Sequence, residues 1–131
     1  MRGVSRHVLD ASALLAILNQ ESGAEQWTDA VIDGVISAVN LSEVVARLAD
    51  AAIPEENIRN VIEPLDLEVA PFDSQQAWTA GLLRSATKAA GLSLGDRACL
   101  ALGRTMKLPV LTADQAWKSL RVGVQVKLLR S

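Results

Sequence analysis

Four carboxylates in this 131-residue chain stand where chemistry could be done: Asp10, Glu43, Asp96 and Asp114. Asp10 ends the apolar pair Val8–Leu9, and Ser12 follows it just before the apolar run from Ala13 to Leu18. Glu43 lies within VNLSEVV, Asp96 within LSLGDRACLAL and Asp114 within PVLTADQAW. Carboxylates brought within about 4 Å repel by roughly 4 kcal/mol per pair at an effective dielectric near 20, so a fold that gathers them needs a counter-charge. A divalent cation supplies it, and donors that are all oxygen favour Mg²⁺ or Mn²⁺ over Zn²⁺. His7 is the only histidine, which removes the pair of imidazoles typical of a metal-free ribonuclease. Metal-assisted hydrolysis of a phosphodiester needs no such pair. The hydroxyls of Ser12 and Thr112 suit a carboxylate, a phosphate oxygen or a metal-bound water, and suit a helix cap equally well.

These residues need elements to bring them together. Val8–Leu9, Val35–Val39, Leu67–Ala70, Pro109–Thr112 and Val124–Leu128 read as short apolar strands. Between them, helical patterns follow Ser12, Asn40 or Ser42, Pro54, Asp73 and Ser93. Asp73 has capping-box spacing to Gln76, and Gly91 suits a helix C-terminus. Strands alternating with helices predict a single three-layer α/β/α domain over residues 1–131, with a central parallel sheet. In such a sheet the strand C-termini and the N-termini of the helices that follow share one edge, where ligands collect. Asp10 and Asp114 follow strands, and Glu43 is expected in the first turn of the helix after the second strand. Asp96 is expected in the first turn of its own helix, with no strand directly before it. Each has an ordinary reading as a helix-start or capping acid. The coincidence of Asp10, Glu43 and Asp114 at one edge is what points to a site. Asp73 reads as a cap, and His7 and Cys99 as structural. Trp27, Trp78 and Trp117 read as core or interface anchors. No GxGxxG or GxxxxGK[ST] loop is present.

Half the residues are hydrophobic and only 3% aromatic, with no Tyr, so Ala, Val, Leu and Ile must build the core. A single Cys excludes an internal disulfide and suits a reducing cytoplasm. No uncharged apolar run reaches a membrane span, and Asp10 interrupts any signal-peptide core. The net charge of −2 does not by itself announce a nucleic-acid binder, but it hides a split. Residues 20–73 carry twelve acidic side chains against Arg47 and Arg59, whereas residues 74–131 carry nine basic ones against Asp96 and Asp114. An acid cluster repels phosphates, so flanking cations must attract them. The split places those cations in the second half, at Arg84, Lys88, Arg97, Arg104, Lys107, Lys118 and Arg121. Arg97, beside Asp96, is the candidate nearest the chemistry, though a salt bridge fits it equally. Arg47 and Arg59 are expected to matter less.

The segments VLDASALLA, SAVNLSEVVARL, LSLGDRACLALG and VLTADQAW, in that order, resemble the PIN-domain family over nearly the whole chain. They are most similar to VapC-type toxin ribonucleases of toxin–antitoxin pairs. The resemblance implies Asp10, Glu43, Asp96 and Asp114 as an Mg²⁺ or Mn²⁺ site supported by Ser12 and Thr112. Asp96 is placed with the other three partly by this resemblance, which its motif carries. It also implies an RNA substrate, a homodimer and a cognate antitoxin that blocks the site. A PIN-like RNA-binding or scaffold domain without catalysis is the alternative, and its acidic set is usually broken. Here the set is intact. An RNase H-like nuclease would open with antiparallel hairpins, and a haloacid-dehalogenase-like phosphatase would want Asp where Ser12 stands.

Overall fold

The computed structural model describes residues 6–130. Five parallel strands form one sheet: β1 (Val8–Leu9), β2 (Val35–Ser37), β3 (Glu68–Ala70), β4 (Val110–Thr112) and β5 (Val126–Leu128), in the order β3-β2-β1-β4-β5. Successive side chains of a strand point to opposite faces, and the central strands are apolar at each position. Val8, Val35 and Val110 therefore enter one core, and Leu9, Ile36 and Leu111 the other. On the Leu9 side lie α1 (Ala11–Leu18), α2 (Ala38–Asp50), α3 (Glu55–Ile62) and a 3₁₀ segment at Glu25–Val31. On the Val8 side lie α4 (Ser74–Leu82), a single helical turn α5 (Arg84–Thr87) and α6 (Leu94–Met106). The result is the expected three-layer α/β/α arrangement. The edge strands depart from the doubly apolar pattern, since Glu68 and Val69 of β3 are exposed. Among the described residues, no helix is long and apolar enough to cross a membrane.

Several boundaries differ from the sequence reading. The first helix begins at Ala11 behind Asp10, so Ser12 lies inside α1 and does not cap it. The second strand stops at Ser37, whose Oγ accepts from the Val39 amide and caps α2, so neither Asn40 nor Ser42 is the cap. Glu43 consequently lies in the second turn, beyond the reach of the helix N-terminal dipole. The long helix expected from Ser74 to Gly91 breaks at Leu83 into α4 and α5. Its start is as read, with the Asp73 carboxylate accepting from the Gln76 amide.

The sheet order fixes where a ligand would go. The chain steps outward from β1 through β2 to β3 and then crosses to β4 on the other side of β1. Strand order therefore reverses between β1 and β4, and the crevice at their C-terminal ends is the general ligand position of open α/β sheets. Close packing of α6 on the sheet, at the N-terminal end of β4, depends on Gly103, where a Cβ would lie 2.5 Å from Val110 Cγ1 and 3.0 Å from Val124 Cγ2. Gly103→Ala should cost about 1–3 kcal/mol through overpacking, seen as a lower urea midpoint. An unchanged midpoint would mean that α6 has room to shift away from the sheet.

Candidate active site

Asp10 occupies the N-cap position of α1, yet its side chain caps nothing. Its Oδ2 instead accepts hydrogen bonds from Ser12 Oγ at 2.6 Å and from Thr112 Oγ1 at 2.9 Å. The same two hydroxyls accept from the chain after β4: Ser12 Oγ from the Ala113 amide and Thr112 Oγ1 from the Asp114 amide. The two ends flanking the switch point are thus laced together around one carboxylate. Asp10 is only 3% exposed. Burial is the largest influence on its acidity. The Ser12 and Thr112 hydrogen bonds pull the other way, and the charges of Asp96 and Glu43 add to burial, leaving the pKa at about 6 against an ordinary 3.8.

Glu43 and Asp96 approach from two other elements. Asn40, fully buried on α2, donates through Nδ2 both to Glu43 Oε1 and to the Gly95 carbonyl, each at 2.9 Å. This amide ties the first turns of α2 and α6 together and turns the Glu43 carboxylate toward α6. Gly95 makes the approach possible, because a Cβ there would overlap the Glu43 carboxylate. Asp96 forms a reciprocal capping box with Ser93, its Oδ2 accepting from the Ser93 amide at 2.9 Å. Asp114 caps the 3₁₀ segment Gln115–Ser119 by accepting from the Ala116 amide. The ordinary capping roles of Asp96 and Asp114 are therefore real, and both still line the cleft that holds Asp10 and Glu43.

Each of the four acids commits one oxygen to the protein. The other (Asp10 Oδ1, Glu43 Oε2, Asp96 Oδ1, Asp114 Oδ2) accepts no hydrogen bond among the described residues. Like charges are held apart, and among the described residues no three metal-ligating side chains are close enough to hold an ion as they stand. The donor chemistry nevertheless fits a hard divalent cation: four carboxylates, each anchored through one oxygen, with no imidazole or thiolate at the cleft. Cys99 lies in the core with its thiol pushed well up by burial, and buried His7 packs edge-on against Trp27 with ring centroids 5.7 Å apart.

The cleft is also lined by Glu21, Arg47 and Arg130, none of which the sequence singled out for it. Arg130 follows β5 as Asp114 follows β4, so strand position was an available signal. Arg97 does not line the cleft. Its Nη1 donates to the Ala80 carbonyl at 3.0 Å in the last turn of α4. Neighbouring helix residues point about 100° apart, which sends Arg97 to the α4–α6 seam while Asp96 faces the acids.

The PIN domain family matches residues 7–122, and the chain belongs to that family. Solved structures share its fold. The DNA-bound VapBC of Salmonella typhimurium is 21% identical with a TM-score of 0.73, over 96% of this chain and 99% of that one. A toxin–antitoxin complex from Klebsiella pneumoniae is 18% identical with a TM-score of 0.74, over 94% and 97%. VapBC-5 of Mycobacterium tuberculosis, of the VapBC toxin–antitoxin family, is 23% identical with a TM-score of 0.61, over 98% and 100%. No curated protein sequence matches the chain significantly.

The raised Asp10 pKa has a definite consequence. Between about pH 4 and 6 the folded carboxyl keeps a proton that the unfolded chain has lost. Stability from this group is therefore highest below pH 4 and falls as pH rises to about 6. The full cost above that window is roughly 3 kcal/mol. In Asp10→Asn the amide oxygen can take the place of Oδ2 and the cost disappears. Without added metal, the variant should melt several degrees above wild type at pH 8, with the gap closing toward pH 4. A gap independent of pH would refute the assignment.

Proposed function

We propose that this chain is a divalent-metal-dependent endoribonuclease of the VapC toxin type, acting as one domain in the cytoplasm. The observation that carries this reading is Asp10: a carboxylate buried at the switch point, held by two hydroxyls, and close enough to Glu43 and Asp96 to feel their charges. A buried carboxylate with raised pKa beside other acids is costly to the fold, and a site that binds a cation and a phosphodiester accounts for the cost. Asp10, Glu43, Asp96 and Asp114 would hold Mg²⁺ or Mn²⁺ through their open oxygens, with Ser12 and Thr112 fixing Asp10. Bound there, the cation would supply charge neutralisation at the phosphodiester and at the attacking water. The chain's own residues set the geometry: Asn40 aims Glu43, the capping box aims Asp96, and the sheet fixes Asp10.

Restraint by an antitoxin follows from the same reading and from the toxin–antitoxin complexes among the structural neighbours. Leu41, Val45, Ile53, Ile58 and Ile62 line an apolar groove between α2 and α3, rimmed by Glu55, Glu63 and the Arg59 that pairs with both. It adjoins the cleft through α2, which carries Glu43. An antitoxin segment with apolar residues for the groove and basic residues for the acids of the cleft fits this surface. The expected homodimer has a separate surface on α4. There Trp78 and Leu82, 69% and 74% exposed, lie one turn apart and unlike Trp117 are left out of the core. Trp78→Glu should shift the protein to a monomer in sedimentation equilibrium, and a dimer that survives it assembles through another face.

RNA hydrolysis by purified protein should require Mg²⁺ or Mn²⁺ and stop with excess EDTA. Asp96→Asn should lower cleavage at least a hundredfold while the melting curve remains cooperative, because an Asn oxygen can still accept in the cap. RNA bound but never cut under any metal would support the non-catalytic alternative. Cleavage undiminished by EDTA would remove the metal from the mechanism.

A further inference from the structure

An Arg four residues after a Glu on a helix is placed to pair with it. Arg59 does so on α3, reaching Glu55 at 2.8 Å and Glu63 at 3.1 Å. Arg47 stands in the same relation to Glu43 on α2, yet it enters no ion pair or hydrogen bond among the described residues. The reason lies one turn back. Asn40 Nδ2 holds Glu43 Oε1, and the carboxylate is laid against Gly95 on α6, away from Arg47. The guanidinium is left exposed on the wall of the acidic cleft. The other Arg at the cleft, Arg130, is tied to the Ser22 carbonyl and to Glu21 Oε1. Arg97, the cation adjoining Asp96, serves α4.

We infer that Arg47 is the residue that receives the RNA backbone, its guanidinium binding a phosphate beside the one to be cut. The inference rests on the proposed nuclease reading and names a substrate contact within it. A planar fork of donors suits a phosphate better than a point charge does. A cation left unpaired by its own helix neighbour has no ion pair to break before it binds. The helix that carries Glu43 thus carries the phosphate contact one turn further on, in the half of the chain whose net charge is strongly negative. Of the basic half's cations, Arg97 is turned away from the cleft and Arg130, which lines it, is already paired.

The test is binding of a fluorescein-labelled single-stranded RNA oligonucleotide to protein carrying Asp96→Asn, in Mg²⁺ buffer across a salt series. Adding Arg47→Gln should weaken binding about tenfold and reduce the slope of log K against log salt by about 0.7, the value for one single-strand phosphate. Arg47→Lys should keep the slope while recovering only part of the affinity. Arg59→Gln and Arg97→Gln should leave the slope unchanged. An unchanged slope in Arg47→Gln, or an equal loss in Arg59→Gln, overturns the assignment. Wild-type protein assayed alongside for metal-dependent cleavage separates the two failures. Cleavage with a slope indifferent to Arg47 sinks this contact alone, whereas no cleavage and no binding sinks the nuclease reading with it.

Discussion

The grip of two hydroxyls on the Asp10 carboxylate is the contact on which the arrangement of this molecule turns. Ser12 comes from α1 and Thr112 from β4, and both donate to one oxygen of a side chain that follows β1. Hydrogen bonds to a charged group are each worth about 1.5–3 kcal/mol, but here they do not win. Burial and the neighbouring acids hold the pKa at about 6. The fold therefore keeps a carboxylate that it would be more stable without. It keeps it at the one crevice where strand order reverses, in the cleft that the other acids line. Structural economy explains none of that, because a neutral residue could lace the same two segments.

The other three acids solve a different problem, that of keeping like charges near one another. Each is held through a single oxygen: Glu43 by Asn40, Asp96 by its own N-cap amide, Asp114 by the turn it caps. Capping and cleft-lining do not compete at Asp96 and Asp114. They are the two halves of one device, since a carboxylate has two oxygens and a cap uses only one. The exception is Asp10, which stands at a helix N-cap and leaves capping to others. Its environment, and not its position in the chain, distinguishes it.

Much of this was legible in the residues. Two-residue alternation between the cores follows from apolar strands bounded by helix signals, and it predicts the parallel sheet and its ligand edge. Ser93 three residues before Asp96 and Asp73 three before Gln76 announced their caps. What was not legible depends on tertiary contacts. Ser37 reads as a strand residue because its neighbours are apolar, and only the Val39 amide shows that it begins a helix. Asn40 reads as a cap for the same reason, while its work is to reach Gly95, 55 positions away. The break at Leu83 has no strong sequence mark, since Gly81 alone is tolerated inside a helix.

The charge split is the instructive case. It is a true property of the chain, and it pointed to Arg97, which does not line the cleft, because sequence halves are not surfaces. A parallel sheet brings the C-terminal ends of β1, β2 and β4 to one edge whichever half they come from, so α2 from the acidic half and α6 from the basic half meet there. Direction then decides what each contributes. On α6, Asp96 faces the acids and Arg97, one position on, is turned by the helix into the α4 seam. On α2, Glu43 and Arg47 share a face, and Asn40 separates them by claiming the carboxylate. The unpaired cation at the cleft, Arg47, thus follows from one amide on one helix, whereas Arg130, which the basic half brings there, is held by Ser22 and Glu21.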